Sequence, residues 1–73
     1  MLGYVKKDKM LDIVREEIDF CRSMIEKYER IIEALRRDDA SSMTIQIHEK
    51  FLADWDSRWY QSRLLLSKME QMT

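Results

Sequence analysis

The chain has no proline and a single glycine, Gly3, in 73 residues. These are the two strongest interrupters of regular backbone, and their near absence points to uninterrupted helix. Cys21 is the only cysteine, so an internal disulfide is excluded. With no secretory segment, the lone thiol predicts a reducing, cytoplasmic setting. The longest unbroken apolar run is Leu64-Leu65-Leu66, far short of the ~20 residues that span a bilayer, and no membrane partner is expected. Nor is there an excess of one charge. Thirteen basic and 14 acidic residues leave a net charge of -1, which gives little steering toward nucleic acid. Hydrophobic residues make up 45% of the chain, too many for a disordered tail.

What is present is periodicity. Leu11, Val14, Ile18, Cys21, Ile25, Tyr28, Ile32 and Leu35 recur at alternating steps of three and four. This is an a/d heptad seam along one helix. Ile45, His48, Leu52, Trp55, Trp59, Ser62, Leu66 and Met69 repeat the pattern. Between them Asp38-Asp39-Ala40-Ser41-Ser42 is the only plausible turn, rich in residues that cap helices. The expected organisation is an N-terminal lead-in over 1–9, a helix over 10–37, a turn over 38–42 and a helix over 43–72. Asp39 or Ser41 would cap the second helix.

So short a turn folds the helices back antiparallel, and the two seams then meet without a slip. Leu35 faces Ile45, Tyr28 faces Leu52, Ile25 faces Trp55, Cys21 faces Trp59 and Leu11 faces Met69. The fold class is all-α, an antiparallel helical hairpin. At this size one core supplies little net stability.

The apolar stripe is wider than one seam uses. In the first helix Met10, Met24 and Ile31 sit at g positions, with Ile13 and Phe20 at c. In the second, Phe51, Leu65 and Met72 widen it likewise. The arc on the first helix is roughly 160° at 100° per residue. These eight residues are the candidate dimer interface, and two hairpins forming a four-helix bundle is the expected assembly. A heteromeric partner covering the same face is the rival. Ala53, Ser57, Tyr60 and Leu64 line the back of the second helix. They read either as scattered surface residues or as a second partner surface anchored by Tyr60.

Chemistry-bearing residues fit structural roles. Glu17, at a g position inside the apolar arc, is placed by the register near Arg58, as an ion pair at the seam's edge; Arg58 could also reach Asp54. His48 at a d position has no second ligand at i±3 or i±4 for a metal, and reads as an inward histidine bonded to Tyr28 or a backbone carbonyl. Cys21 opposite Trp59 reads as a small buried hydrophobe. Pairs such as Arg22/Glu26, Glu26/Arg30 and Glu33/Arg37 at i, i+4 suggest a self-compensating solvated face. No catalytic residue, metal, cofactor or small-molecule substrate is expected.

"VREEID" at 14–19 followed by "YER" at 28–30 superficially resembles the first helix of the all-helical chorismate mutases. That family brings arginines and a lysine into a bundle core. Here Arg15 and Arg30 fall at e and f, outside the seam, so the activity is not carried over. In architecture alone the chain resembles the small plasmid RNA-binding hairpin dimers, with no shared motif. The expected function is a non-enzymatic protein–protein interaction module (an adaptor, regulator or inhibitor) acting as a helical-bundle oligomer, its partners being itself and another protein. The alternative is a small RNA- or DNA-binding regulatory hairpin dimer, with Lys6, Lys7 and Lys9 as the nucleic-acid contacts.

Overall fold

A computed structural model of the chain describes residues 7–72. Two helices make up nearly all of it, α1 (Lys7–Arg37) and α2 (Ser42–Gln71), packed side by side and antiparallel. Each is about 46 Å long at 1.5 Å per residue, and the molecule measures 57 × 17 × 16 Å. It is a rod two helices wide and one layer deep.

α1 starts at Lys7, three residues before the position expected from periodicity. Asp8 lies in its first turn and Arg36 and Arg37 in its last, where each charge opposes the helix dipole. The remaining lead-in residues, 1–6, lie outside the described residues. α2 runs one residue ahead of its expected bounds at both ends.

The turn is built from hydrogen bonds. The N–H of Ala40 donates to the Leu35 carbonyl at 2.9 Å and that of Asp39 to the Arg36 carbonyl at 3.3 Å. This six-to-one and five-to-two pair is the Schellman arrangement, which requires a left-handed residue between helix and exit. Asp39 supplies it with φ 53, a conformation that aspartate tolerates better than most non-glycine residues. Ser41 then caps α2. Its hydroxyl accepts the Thr44 N–H at 3.2 Å, and the Ser41 carbonyl accepts the Ile45 N–H at 3.1 Å.

The seam lies where the heptads put it. In α2 the eight a/d positions and Thr44 are the only residues that are not exposed. Cross-helix side-chain pairs fix the register from both flanks. Glu17 and Arg58, each one residue before a seam position, meet at 2.6 Å. On the opposite flank Arg15 meets Glu70 at 3.4 Å and Arg36 meets Glu49 at 2.7 Å, each one residue after a seam position.

Among the described residues only Leu11, Cys21 and Ile32 are buried apolar side chains, and in α2 no residue is buried. One helix packed on one helix removes water from a line, not from a volume. The remaining seam residues are half-covered.

Candidate protein-interaction site

The two flanks of the seam differ in chemistry because g and e positions differ. In an antiparallel pair the g residues of both helices share one flank and the e residues share the other. The e flank is charged: Arg15, Arg22, Glu29 and Arg36 from α1, with Glu49, Asp56, Arg63 and Glu70 from α2, all exposed. Arg15 also reaches Asp12 at 3.4 Å. The expected pairs Arg22/Glu26, Glu26/Arg30 and Glu33/Arg37 do not close within 4 Å; besides Arg15 with Asp12 on α1, charge compensation on this flank runs across the two helices. Exposed pairs of this kind contribute little each, about 0–1 kcal/mol.

The g flank is apolar. Met10, Ile13, Phe20, Phe51, Leu65 and Met72 are large hydrophobic side chains left exposed, Phe20 at 51% and Met72 at 81%. Met24 and Ile31 are half-covered on the same flank. All eight candidate interface residues are therefore at g or c positions of this one face. Ile47, a c residue of α2 and 47% exposed, joins them and was not among the expected eight. Met43 is also exposed, but at an f position away from the face.

Aromatic rings meet along this flank. The Phe20 ring meets Trp55 edge-on at 5.5 Å. Tyr28, His48 and Phe51 form a triangle with centroids 5.8 to 6.3 Å apart, the range in which edge and tilted contacts are favourable. His48 Nδ1–H donates to the Thr44 carbonyl at 2.8 Å, so the histidine is a ring of the cluster anchored to its own helix. A shallow groove of about 270 Å³ opens here, lined by Tyr28, Phe51, Asp54, Trp55 and Arg58.

One charged pair interrupts the apolar flank. Arg58 Nε–H donates to Glu17 Oε1 at 2.6 Å, Nη2 lies 2.6 Å from the same oxygen as an ion-pair contact, and the guanidinium also lies 5.0 Å from the Trp55 ring centre. Asp54 is not its partner. Cys21 Sγ donates weakly to that same Glu17 oxygen at 3.7 Å. The thiol is fully buried, and burial first, then the neighbouring Glu17 charge, pushes its pKa up, against the opposing pull of Arg58. A neutral thiol of this kind is a poor nucleophile.

Trp59, facing Cys21, is half-covered by the seam, and its Nε1 is buried with no partner among the described residues. The Arg63 guanidinium covers its ring at 4.7 Å. Tyr60 points away, 61% exposed, and with Leu64, Ala53 and Ser57 it forms an exposed strip on the back of α2. Lys9 is exposed next to Asp8; Lys6 and the side chain of Lys7 lie outside what is described. Arg15 and Arg30 are exposed.

Among the described residues no group of three or more histidine, cysteine, aspartate or glutamate side chains could hold a metal ion. No described helix is long and apolar enough to cross a membrane. Comparison with protein-family models, with curated proteins and with solved structures gave no match.

Proposed function

We propose that the chain is a protein–protein interaction module, an adaptor, regulator or inhibitor, that works as a helical-bundle oligomer and not as an enzyme. The observation that carries this reading is the apolar g flank. A hairpin with three buried apolar side chains leaves nine further large ones, Ile47 included, on a single face. Apolar surface of that extent, interrupted by the Glu17–Arg58 pair, marks an interaction site. A second hairpin of the same kind covers it most simply and gives a four-helix bundle with a closed core. The charged e flanks and the Tyr60 strip then face outward, and the strip is left for a further protein.

Sedimentation equilibrium at tens of micromolar tests the assembly. The expected mass is twice the 8.9 kDa of one chain, with a melting temperature that rises with protein concentration, as it does for any coupled folding and association. A strict monomer with a concentration-independent melting temperature would overturn the reading.

A further inference from the structure

Resting on the reading that a second copy covers the apolar flank, we propose how it does so. The two hairpins pair about a two-fold axis parallel to their helices, both turns at one end, and Glu17 and Arg58 of the two copies close into a ring of four alternating charges.

The levels along the flank carry this. The seam sets Glu17 opposite Arg63 and Arg58 opposite Arg22, so Glu17 and Arg58 meet at 2.6 Å across a five-residue stagger, and the g pairs Met10 and Leu65, Met24 and Phe51, and Ile31 and Thr44 share that stagger. An axis along the bundle lays α1 of one copy over α2 of the other without changing level. Met10 then stands to Leu65 of the second copy, Met24 to Phe51, and Glu17 to Arg58, at the same stagger as within its own hairpin. Each apolar side chain of these pairs meets another, and each charge meets its opposite.

The end-over-end alternatives fail on one count or another. Turning one hairpin about the charged pair sets Glu17 over Glu17 and Arg58 over Arg58. Turning midway between Glu17 and Met24 sets both charges against the apolar side chains of Met24 and Phe51, where desolvation goes uncompensated. A flank 17 Å wide and ~46 Å long offers about 800 Å² per copy, the size of a standard stable interface, only when its full length is used.

The pair itself is half-used. Both contacts of Arg58 and that of Cys21 converge on Oε1 of Glu17. Glu17 Oε2 and Arg58 Nη1 take no hydrogen bond among the described residues. Glu17's side chain is 34% exposed and Arg58's 54%. A buried ion pair is tolerable only when its remaining lone pairs and protons are satisfied. The second copy brings the matching donor and acceptor to the same level.

Direction and ring are tested separately. A spin label on Asp38→Cys, in a Cys21→Ala background, reports the distance between the two turns of a dimer by pulsed dipolar spectroscopy. Labelling with Cys21 retained serves equally, because that thiol is buried. Turns at one end give roughly 20–30 Å, about the width of a bundle. End-over-end pairing gives more than about 45 Å, a helix length. For the ring, Glu17→Arg and Arg58→Glu should each weaken self-association at least about tenfold, and mixing the two variants should restore a heterodimer. The double variant E17R/R58E should dimerise on its own, which separates lost pairing from lost folding. A wild-type monomer overturns the dimer and the arrangement together. A dimer with the long distance leaves the dimer standing and overturns the arrangement. Single variants that dimerise as tightly as wild type overturn the ring.

Discussion

Cys21 Sγ sits 3.7 Å from Glu17 Oε1, one helical turn away, with no side-chain surface open to solvent. A carboxylate beside a buried thiol has one consequence for reactivity. Thiolate formation is opposed both by burial and by the Glu17 charge. At pH 8 a thiol reagent should therefore modify the native chain at least about a hundredfold more slowly than the chain in denaturant, since only the exposed thiolate reacts. Equal rates would mean that the seam opens freely at Cys21.

The same contact sets a dependence on pH. The folded thiol's pKa is raised above its ordinary value near 9.0, so on alkalinisation the unfolded chain loses its proton first. The contribution is fully present below pH 9.0 and is lost as pH rises from there through the raised folded value. Denaturant midpoints of wild type and Cys21→Ala, followed from pH 7 to 11, should diverge in shape above pH 9, with wild type falling more steeply. Parallel curves would show that the thiol does not ionise differently in the two states.

The turn makes a prediction of opposite signs at neighbouring positions. Ser41→Ala removes the hydroxyl that accepts the Thr44 N–H and should cost about 1 kcal/mol. Asp39→Gly should instead stabilise by about 0.5–1 kcal/mol, because φ 53 costs glycine no side-chain clash. Urea unfolding with unchanged slope measures both. A destabilised Asp39→Gly would mean that the aspartate side chain contributes more than its backbone strain costs.

These residues also mark what could be read from the sequence. The seam, its register and the Glu17–Arg58 pair follow from periodicity, because each position in a heptad has one direction relative to the partner helix. The Schellman turn does not: nothing in Asp38-Asp39-Ala40 says which residue takes the left-handed conformation, since aspartate fits a cap, a turn or a left-handed position equally well. The cross-helix pairs of Arg15 with Glu70 and Arg36 with Glu49 were also hidden. Each arginine has acidic neighbours on its own helix, and at an exposed site the alternatives differ by less than about 1 kcal/mol. Ile47 is the only apolar c residue of α2, beside Asp54, Gln61 and Lys68, so no periodic signal marks it.

Tyr60 and Trp59 are adjacent in sequence and opposite in role. Tyr60→Ala removes a side chain that is 61% exposed and makes no ring contact among the described residues, so unfolding free energy should change by no more than about 0.5 kcal/mol. If the strip it forms with Ala53, Ser57 and Leu64 is the outward docking surface, binding of the chain's protein partner should weaken while the dimer mass stays the same. A large loss of stability would place Tyr60 inside an interface of the oligomer itself.

Trp59 should separate packing from hydrogen bonding. Its indole spans the seam opposite Cys21, covered on the other side by Arg63 at 4.7 Å, and its Nε1–H is buried without an acceptor among the described residues. Trp59→Ala removes the ring and leaves space that neither helix can fill, so it should destabilise by about 3–5 kcal/mol. Trp59→Phe keeps most of the ring and deletes the unsatisfied N–H, whose burial costs about 1–3 kcal/mol. The lost contact area and the relieved polar group then nearly offset, and Trp59→Phe should lie within about 1 kcal/mol of wild type by thermal or urea unfolding. If Phe costs as much as Ala, the Nε1–H has an acceptor in the assembled protein, supplied by water or by another chain, and the interface extends onto the e flank as well.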